Sequence, residues 1–545
     1  MTQPDAPRPC PGRRRHAQAP ALGMALAAGA CLPAQAQLAP QMGVPVELGD
    51  LRKTFERAYG PADVPPVGAR NWTFTPGIGL DVLATDNARA LGVGGVRASS
   101  EVMTTITPSL LVQGASQRLT GSLSYAPQLR SFMNNARQNS VAQNLNANGR
   151  ATIFQDLLFL NASAYATEYS RAGGLGGGTG GQLSRQDRVQ TSSFSVGPLL
   201  RHTFADTGTA ELSHSYAFQR ITGQGLAQNT PFAPAVASGD RITNTTDASF
   251  TSGQDFGRFN FTVSVNRTAY DGPGVLKNAH RNSENLDLGY ALTRDFTVLA
   301  QLGHQDVKYG GTNPLRINGA IWSLGGRWTP GPDTSMTARY GYRDGGSAYS
   351  FEGSTAPTAR TRVTLSYSEA MANAAEELQY ASTRTQLSAS GITIDPKTGM
   401  PVILTNNFAG AQGGLARVRR VSLSGVLTGD VDVFTVTLNR DERQTLSGDA
   451  PGGPPSTSYL NATLGWQREL WPGVRGNAQA SYGERTAGSA ASVSQSIITF
   501  TAGLNWSLSE TLTTRAAYTH TRSSSNQAGF GYEANLISLG VQKTF

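Results

Sequence analysis

Few residues in this chain could do chemistry, and they form no catalytic pattern. Beyond residue 36 the five histidines are His202, His214, His280, His304 and His520. A hydrolase needs a nucleophile, a base and a group that orients the base. None of these histidines has a serine two residues further on, and their neighbouring residues share no motif. No cluster has the spacing of metal ligands, so we expect no catalytic residue, metal or cofactor.

Arginine is the one chemical lead on a ligand. The chain of 545 residues has a formal net charge of +8, and many arginines stand among small polar residues that alternate with apolar ones. If those polar residues enclose water, they make a basic lumen, which favours anionic solutes or polyanions. The alternative is that the arginines pair with acidic groups of the lumen or of lipopolysaccharide. The predicted lumen arginines are Arg258, Arg327, Arg339, Arg475 and Arg515, with Arg343 near the outer rim.

The elements that position these arginines have a period of two. In residues 259–265 (FNFTVSV) and 498–506 (ITFTAGLNW) apolar side chains fill every second position, which is the pattern of a β-strand with one apolar face. The opposite face carries Thr, Ser, Asn and Gly, whereas a soluble sheet would show many Lys and Glu. Charged residues make up only 15%, and the mean hydropathy of −0.28 argues against a helical membrane protein. The pattern predicts an all-β fold, a transmembrane antiparallel barrel with its apolar face toward lipid.

Short and long connections alternate between the predicted strands. Short ones such as 205–208 and 428–431 alternate with long ones such as 171–188 and 223–240. Outer-membrane barrels have short periplasmic turns and long extracellular loops, so the alternation gives the barrel its sidedness. We predict about 22 strands (range roughly 18 to 24), at 71–84, 100–113, 117–128, 143–154, 157–169, 190–203, 209–221, 241–253, 258–270, 283–293, 296–308, 318–329, 334–343, 346–354, 359–370, 415–428, 431–442, 457–468, 472–484, 494–508, 510–522 and 532–545.

The first 70 residues precede the strand pattern and begin with an export signal. Three arginines at 13–15 are followed by a short apolar stretch and by the small residues Ala34 and Ala36. A basic region, an apolar core and a small-x-small site are typical of a secretory signal. Cleavage after Ala36 would remove both cysteines of the chain and lower its net charge by three. The predicted organisation is a signal peptide at 1–36, a periplasmic segment at 37–70 and the barrel at 71–545.

Tryptophan placement supports the same sidedness. Most tryptophans stand beside a short turn or at the start of the first strand, and Trp322 alone lies in the middle of a predicted strand. Outer-membrane barrels have aromatic girdles at the membrane interfaces, whereas tryptophans of a soluble core would show no preference for turns. The predicted girdle consists of Trp72, Trp328, Trp466, Trp471 and Trp506.

The chain ends in a half-apolar strand, NLISLGVQKTF, at 535–545. The last strand of a barrel must pair with the first, because an open sheet edge cannot lie in lipid. The ending resembles the terminal signal of bacterial outer-membrane proteins, in which alternate apolar residues lead to a final aromatic residue. The resemblance implies recognition by the barrel-assembly machinery through Ile537, Leu539, Val541 and Phe545. Lys543 departs from the pattern, since that position is often apolar or aromatic.

Several stretches resemble a family of bacterial outer-membrane proteins associated with the PEP-CTERM sorting system and exopolysaccharide clusters. The most specific part is a Trp-x-Pro-Gly turn at 328–331 followed by Arg-x-Gly-Tyr-Arg at 339–343. The resemblance covers most of the chain after the predicted leader. It implies a large barrel and a link to polysaccharide export or surface assembly, and it supplies no catalytic residues. The stretches are 72–90, 322–350, 363–371 and DPKTGMP at 395–401.

These observations lead us to expect a protein of the cell outer membrane. The favoured function is a non-enzymatic role in exopolysaccharide export or surface assembly. The first alternative is a general diffusion porin for small solutes, anionic ones included, and the second is an outer-membrane enzyme. The long segment 371–414 bears on the first two, because it would either constrict the pore or dock a partner. The expected partners are outer-membrane lipid and lipopolysaccharide, the barrel-assembly machinery and polysaccharide-export components, with no nucleic acid.

Overall fold

A computed structural model describes most of the chain after residue 70. The predicted signal peptide with Ala34 and Ala36, the predicted segment 37–70 and most of the 371–414 segment lie outside the described residues and stay predictions. The described residues are 71–88, 99–170, 188–223, 239–373, 376, 386–387, 393–394, 413–449, 451–452, 455–488, 493–527 and 531–545.

The described strands form one antiparallel sheet that closes on itself. The sheet has 24 hydrogen-bonded segments, and two of its strands are each built from two consecutive segments, so the barrel has 22 strands. This confirms the predicted all-β barrel and its predicted strand number. The strands are β1 (Asn71–Thr85), β2 (Glu101–Ala115), β3 (Leu119–Tyr125 and Gln128–Phe132), β4 (Ser140–Ala142 and Leu145–Phe154), β5 (Leu158–Ser170), β6 (Arg188–Phe204), β7 (Gly208–Thr222), β8 (Gly239–Ser252), β9 (Phe259–Asp271), β10 (Ala279–Ala291), β11 (Phe296–Tyr309), β12 (Leu315–Gly331), β13 (Thr334–Arg343), β14 (Gly346–Thr358), β15 (Thr361–Asn373), β16 (Leu415–Thr428), β17 (Asp432–Ser447), β18 (Ser456–Trp471), β19 (Val474–Gly488), β20 (Val493–Ser509), β21 (Leu512–Ser525) and β22 (Tyr532–Thr544).

The connections distinguish two ends of the barrel. At the turn end the chain reverses within a few residues, as at 332–333 and 472–473, whereas connections at the loop end are mostly longer. Because outer-membrane barrels keep their short turns in the periplasm, the loop end faces the outside of the cell. The short exception at the loop end is the turn from β13 to β14. Its central residues, Asp344 and Gly345, have φ angles of 56° and 75°, as a two-residue hairpin turn of type I′ requires.

Helix is minor within the described part of the chain. Three short 3-10 helices, Ala136–Gln138, Gln254–Phe256 and Gly274–Leu276, lie in connections between strands. Among the described helices none is long and apolar enough to cross a membrane. A separate two-stranded hairpin pairs Gln386–Leu387 with Thr393–Ile394.

Two neighbouring strands, β3 and β4, are each interrupted once. Pro127 lies in the break of β3, where it has no N–H to donate to the sheet. Above the pair Leu145↔Ala166 the ladder between β4 and β5 stops. The side chain of Gln190 replaces it there: its Nε2 donates to the carbonyl oxygens of Gln143 at 3.1 Å and Thr167 at 3.0 Å. A side-chain amide thus satisfies backbone groups that strand pairing leaves open.

The two faces of the sheet differ in polarity. Away from the bulges at the turn end, exposed apolar side chains share one parity on each strand, for example Leu324 and Trp328 on β12. On the other parity Arg339 Nη1 donates to Asp287 Oδ1 at 3.1 Å, which joins β13 to β10 across two intervening strands. A contact over that many strands is possible only on the concave side. The apolar parity therefore faces lipid, and the polar parity lines the lumen.

The first and last strands close the barrel. The register between β1 and β22 runs from Gly77↔Thr544 to Thr85↔Leu536, and the Phe545 N–H donates to the Pro76 carbonyl oxygen at 2.9 Å. Beyond β1, Asp86 Oδ1 accepts a hydrogen bond from the Asn535 N–H at 2.8 Å. Burial raises the pKa of Asp86, but the hydrogen bonds from Asn535 outweigh it and hold that pKa below its usual value.

Gly540 makes room for an ion pair across this seam. Gly540 on β22 lies between Arg515 of β21 and Asp81 of β1, and Arg515 Nε donates to Asp81 Oδ1 over it at 2.8 Å. A Cβ placed on Gly540 would lie 2.6 Å from Arg515 Nε and closer still to Asp81 Oδ1. The absence of a side chain therefore lets three neighbouring strands be tied together on the lumen side.

Strand ends are where the predicted spans differ from the structure. Strand β10 begins at Ala279 instead of 283, β12 at Leu315 instead of 318, and β17 ends at Ser447 instead of 442. These extensions lie at the loop end beyond the apolar band, where the outward positions, such as His280, Arg316 and Gln444, are polar. The period of two loses its contrast there, so the sequence pattern ends before the strand does.

Deleting Phe545 should lower the amount of barrel in the outer membrane more than it lowers the stability of the assembled barrel. The Phe545 side chain is 69% exposed, so it contributes little packing to the finished structure. The measurement is the outer-membrane level by immunoblot, together with the temperature at which the assembled fraction loses its heat-modifiable mobility in gels. Unchanged outer-membrane levels would contradict the assembly role.

Replacing Gly540 with Leu should destabilise the closed barrel by about 1–3 kcal/mol, because the new side chain displaces the Arg515–Asp81 pair. The measurement is reversible urea unfolding in lipid vesicles. Gly319→Leu is the matched control, since a Cβ at that inward-facing glycine meets nothing within 4 Å. An equal effect of the two substitutions would show that the ion pair over the seam is not the cause.

Candidate functional site: an arginine-lined lumen and its mouth

Arginine supplies the positive charge of the lumen face. On the described strands the inward parity carries no lysine, while its uncharged positions are mainly Thr, Ser, Asn, Gln and Gly. The guanidinium group stays charged and presents a planar fork of donors that fits carboxylate and phosphate. The inward arginines are Arg130, Arg150, Arg201, Arg241, Arg281, Arg327, Arg339, Arg343, Arg362, Arg420, Arg443, Arg475, Arg485 and Arg515.

Carboxylates on the same face are fewer than the arginines. Several of them are engaged, such as Asp441, which accepts from Arg420 Nε at 3.0 Å, and Glu211, which accepts from Arg201 Nε at 2.6 Å. The lumen face of the described strands is therefore net positive. Its carboxylates are Asp81, Glu101, Glu211, Asp247, Asp287, Glu352, Asp441 and Glu469. Three further carboxylates, Glu168, Asp344 and Glu376, contact inward arginines from other positions, and the arginines still outnumber all of these.

The predicted lumen arginines divide into paired and exposed ones. Arg339 contacts Asp287, and Arg515 contacts Asp81. Arg327 and Arg343 are exposed and make no ion pair with any residue that the structure describes. Some of the predicted arginines thus pair with lumen acids, and others are exposed without an ion pair to a described residue.

Two further predicted lumen arginines differ in position. Arg475 lies on the inward parity of β19 opposite Glu469 of β18. Arg258 lies in the connection before β9, where its carbonyl oxygen accepts a hydrogen bond from the Ala291 N–H at 2.9 Å. It is thus a turn residue at the periplasmic end, since the strand begins one residue later than predicted.

A tyrosine pair with one carboxylate lies at the mouth of the loop end. Tyr270 Oη donates to Glu376 Oε1 at 2.5 Å and Tyr309 Oη donates to the same oxygen at 2.8 Å. The rings of the two tyrosines are 5.8 Å apart. Arg281 Nη1 lies 3.9 Å from the same carboxylate. Glu376 therefore links the β15–β16 connection to the inner face of β9, β10 and β11.

Asp344, at the tip of the short β13–β14 hairpin, lies at the centre of a second set of contacts. Arg281 Nη2 donates to both of its carboxylate oxygens, at 2.8 and 3.0 Å. The Met371 N–H donates to its Oδ2 at 3.3 Å, and Arg417 Nη2 donates to its carbonyl oxygen at 2.8 Å. The Asp344 side chain is 4% exposed, so its charge depends on these partners.

The upper ends of β15 and β16 lie inside the mouth. Met371 has the same parity as lipid-facing Leu365 on β15, and Arg417 is its partner on β16. Nevertheless Met371 and Leu415 are buried in one apolar cluster with Tyr270 and Tyr309, which belong to the lumen face. This part of the wall therefore leans inward and narrows the opening. The sequence signals for it are the short 344–345 turn and the aromatic residues that end β9 and β11.

The aromatic and terminal residues of the predicted sets lie on the lipid side. Trp328, Trp471 and Trp506 are exposed, and Trp72 and Trp466 share the outward parity with partial exposure. Trp322 is also outward, with Tyr342 directly opposite on β13. The predicted assembly residues Ile537, Leu539, Val541 and Phe545 are exposed as well.

All five described histidines lie on the outer face. His280 Nε2 lies 3.1 Å from Asp306 Oδ2, and His304 Nε2 lies 3.1 Å from Asn318 Oδ1. His214 contacts Thr246, His520 contacts Asn535, and His202 contacts the ring of Phe204. None of them meets both a hydroxyl nucleophile and an orienting acid toward the lumen, within the part of the chain that the structure describes.

Comparison with known proteins gives a partial family match. The family described as "Putative beta-barrel porin 2" matches residues 435–545, the last strands of the barrel. A comparison with curated proteins finds no match. The match and the lipid-facing apolar belt agree, and the protein is a porin-like β-barrel of the outer membrane.

Solved structures that resemble the chain are large outer-membrane barrels. The FrpB iron transporter of Neisseria meningitidis (F5-1 variant) is 10% identical, with 92% of this chain and 84% of that chain covered at a TM-score of 0.49. The siderophore receptor PirA of Acinetobacter baumannii is 8% identical, with coverage of 86% and 80% and a TM-score of 0.44. At such identities the likeness concerns the fold alone.

Replacing Asp344 with Asn should destabilise the barrel by about 2–3 kcal/mol, because Arg281 loses its charged partner. Asn tolerates a positive φ, so the turn itself is kept. Urea unfolding in vesicles measures the effect. Asp430→Asn is the control, since Asp430 is 83% exposed and its pair with Arg360 should contribute about 0.5 kcal/mol or less. Equal stability of the two variants would contradict a structural role for the mouth contacts.

Proposed function

We propose that the barrel is a non-enzymatic passage for anionic saccharide chains, with a role in exopolysaccharide export or surface assembly. The observation that carries the proposal is the excess of arginines over carboxylates on the lumen face, with no lysine among its described residues. Positive charge in a pore lowers the barrier for anions and raises it for cations.

The uncharged part of the lumen face fits a carbohydrate. Side chains such as Asn146, Thr262 and Gln301 supply both donors and acceptors for hydroxyl groups. The arginines supply bidentate donors for uronate carboxylates or phosphate substituents. Barrels with 16–18 strands already leave an aqueous channel, so a wall of 22 strands is wide enough to surround a hydrated chain.

Arg327 and Arg343 are the residues that we assign to the solute. They are exposed and have no ion pair with a described residue, whereas Arg339 and Arg515 are occupied by Asp287 and Asp81. An arginine whose charge is already neutralised contributes little to the field of the lumen. The exposed arginines therefore set the anion preference.

A general diffusion porin for small anionic solutes is the second candidate. The match of residues 435–545 to a porin family favours it. The same arginines would serve either solute, and the two functions differ in what they need at the mouth. An export channel has to admit a polymer past the inward-leaning ends of β15 and β16, whereas a small anion passes without any rearrangement there.

An enzymatic role is the third candidate, and we propose that the protein is not an enzyme. The outward position of every described histidine supports this, because a lumen-facing or rim-facing base would be needed for acyl or glycosyl transfer. The partners that fit a passage are lipopolysaccharide around the barrel, the barrel-assembly machinery and components of polysaccharide export.

Reconstituted single-channel recordings should show preference for anions over cations. The double substitution Arg327→Gln and Arg343→Gln should lower the anion-to-cation permeability ratio by about twofold or more at low ionic strength, where charges are least screened. Arg440→Gln, which removes an outward-facing charge, is the control and should leave the ratio unchanged. Cation preference or a complete lack of conductance would contradict the anion pathway.

Secretion separates the two candidates. A strain without this protein should release less exopolysaccharide, and a plasmid copy should restore the release. Normal secretion combined with an anion-selective conductance would refute the export role and leave the porin.

A further inference from the structure

An unbalanced row of basic residues lies on the outer face of β10, β11 and β12. His280 pairs in register with Lys308, and Lys308 pairs in register with Arg316. All three side chains point away from the lumen, on the parity of the lipid-exposed Leu302 and Leu324. Lys308 and Arg316 are both exposed. The row is thus a basic surface directed at the surrounding membrane.

Lys308 and Arg316 are like charges placed directly opposite each other. Such a cross-strand pair destabilises a sheet unless an anion lies between or beside the two groups. Neither side chain forms an ion pair with a residue that the structure describes. Several outward arginines elsewhere on the barrel are matched instead: Arg220 by Asp240 at 2.6 Å, Arg419 by Glu369 at 3.4 Å and Arg440 by Glu442 at 2.6 Å.

The acids nearest to this row form no ion pair with Lys308 or Arg316. Asp306 lies one row closer to the apolar band and is held by His280 at 3.1 Å, and its carboxylate also attracts Arg316 at longer range. Glu284 lies a further row down, opposite His304, and Asp271 is two residues beyond Ala269 at the end of β9. A third exposed cation, Arg267, shares this face opposite Asn282. Lys308 and Arg316 therefore remain exposed positive charges without a contacting acid among the described residues.

The height of the row matches the outer leaflet headgroups. Along β12 the chain rises twelve residues from Trp328 at the turn end to Arg316 at the loop end. At about 3.4 Å per residue and a tilt of about 40° this is about 31 Å, a few Å beyond an apolar band of about 25 Å. Above Leu302 the outward side chains are His304, Asp306 and Lys308, and above Trp322 they are Ala320, Asn318 and Arg316, so the row lies outside the acyl region.

We propose that Lys308 and Arg316 form a binding site for the phosphate groups of lipopolysaccharide in the outer leaflet, with His280 and Arg267 at its edges. The phosphate supplies the anion that the like-charged pair needs, and the acyl chains of the same molecule lie on Leu302 and Trp322 below. Lysine and arginine bind phosphate by charge-assisted hydrogen bonds. The site needs only the outer-membrane location, so it stands apart from the question of what crosses the lumen.

The test compares the unsubstituted barrel with a double variant that carries Lys308→Gln and Arg316→Gln. Bound lipopolysaccharide is first removed from both proteins in mild detergent. Adding purified lipopolysaccharide should raise the unfolding temperature of the unsubstituted protein, because a ligand that binds the folded state stabilises it. The double variant should bind lipopolysaccharide about tenfold more weakly or worse, since bonds to charged groups contribute that much. Arg440→Gln is the matched control and should bind like the unsubstituted protein.

The lipid-free state gives a second readout that loss of folding would not mimic. Without lipopolysaccharide the double variant should be as stable as the unsubstituted barrel or more so, because the repulsion between the two cations is gone. Enzymatically dephosphorylated lipopolysaccharide should lose most of the stabilising effect. Equal affinity of the double variant, or no shift of the unsubstituted protein, would overturn the proposal. Stabilisation by inorganic phosphate alone to the same extent would overturn it too, since a free anion would then be the ligand.

Discussion

Lipid offers no hydrogen bonds, so every backbone N–H and C=O group in the membrane must be paired within the protein. In this barrel β1 and β22, the first and last strands, satisfy their outer edges by pairing with each other. Their ladder extends to the pair Gly77↔Thr544, and beyond it the Phe545 N–H donates to the Pro76 carbonyl oxygen. The end of the chain is therefore the edge that makes the sheet continuous. The half-apolar terminal sequence follows from this position, since one face meets lipid and the other meets the lumen.

The same constraint sorts the charges of the molecule. In a strand that pairs on both edges, only the side chains on its two faces can differ in polarity, and lipid excludes charged side chains from one face. Arginines within the apolar band consequently point inward, where Arg515 and Arg339 find carboxylates and Arg327 does not. Outward charges lie beyond the apolar rows, such as Arg440 and Lys308 toward the loop end and Arg468 and Lys543 toward the turn end. Position along the strand thus decides whether a basic residue addresses the lumen or the surrounding glycolipid.

Much of the fold could be predicted from the sequence because successive side chains of each strand face lipid and the wet lumen in turn. The period of two gives strand number, parity and sidedness, and the predicted segments 334–343 and 415–428 coincide with β13 and β16. The break of β3 was within reach too, since Pro127 cannot donate to a ladder. Contacts at the mouth were not. Tyr270 and Glu376 are 106 residues apart in sequence, and whether they meet depends on how far β15 leans, which no local pattern encodes.

The short hairpin at Asp344 shows where the constraint ends. The ladder between β12 and β13 stops at Trp322↔Tyr342, in the last apolar row of the outer face. From Ile321 to Leu315 β12 still pairs with β11, but its edge toward β13 is unpaired. Below that row an unpaired strand edge would have met lipid, whereas above it water can satisfy the open backbone groups. At this height the strands can therefore bend away from the cylindrical wall of the barrel. It does so where β15 and β16 lean over Tyr270 and Tyr309, and the geometry of the opening is consequently set by side-chain contacts and not by strand pairing.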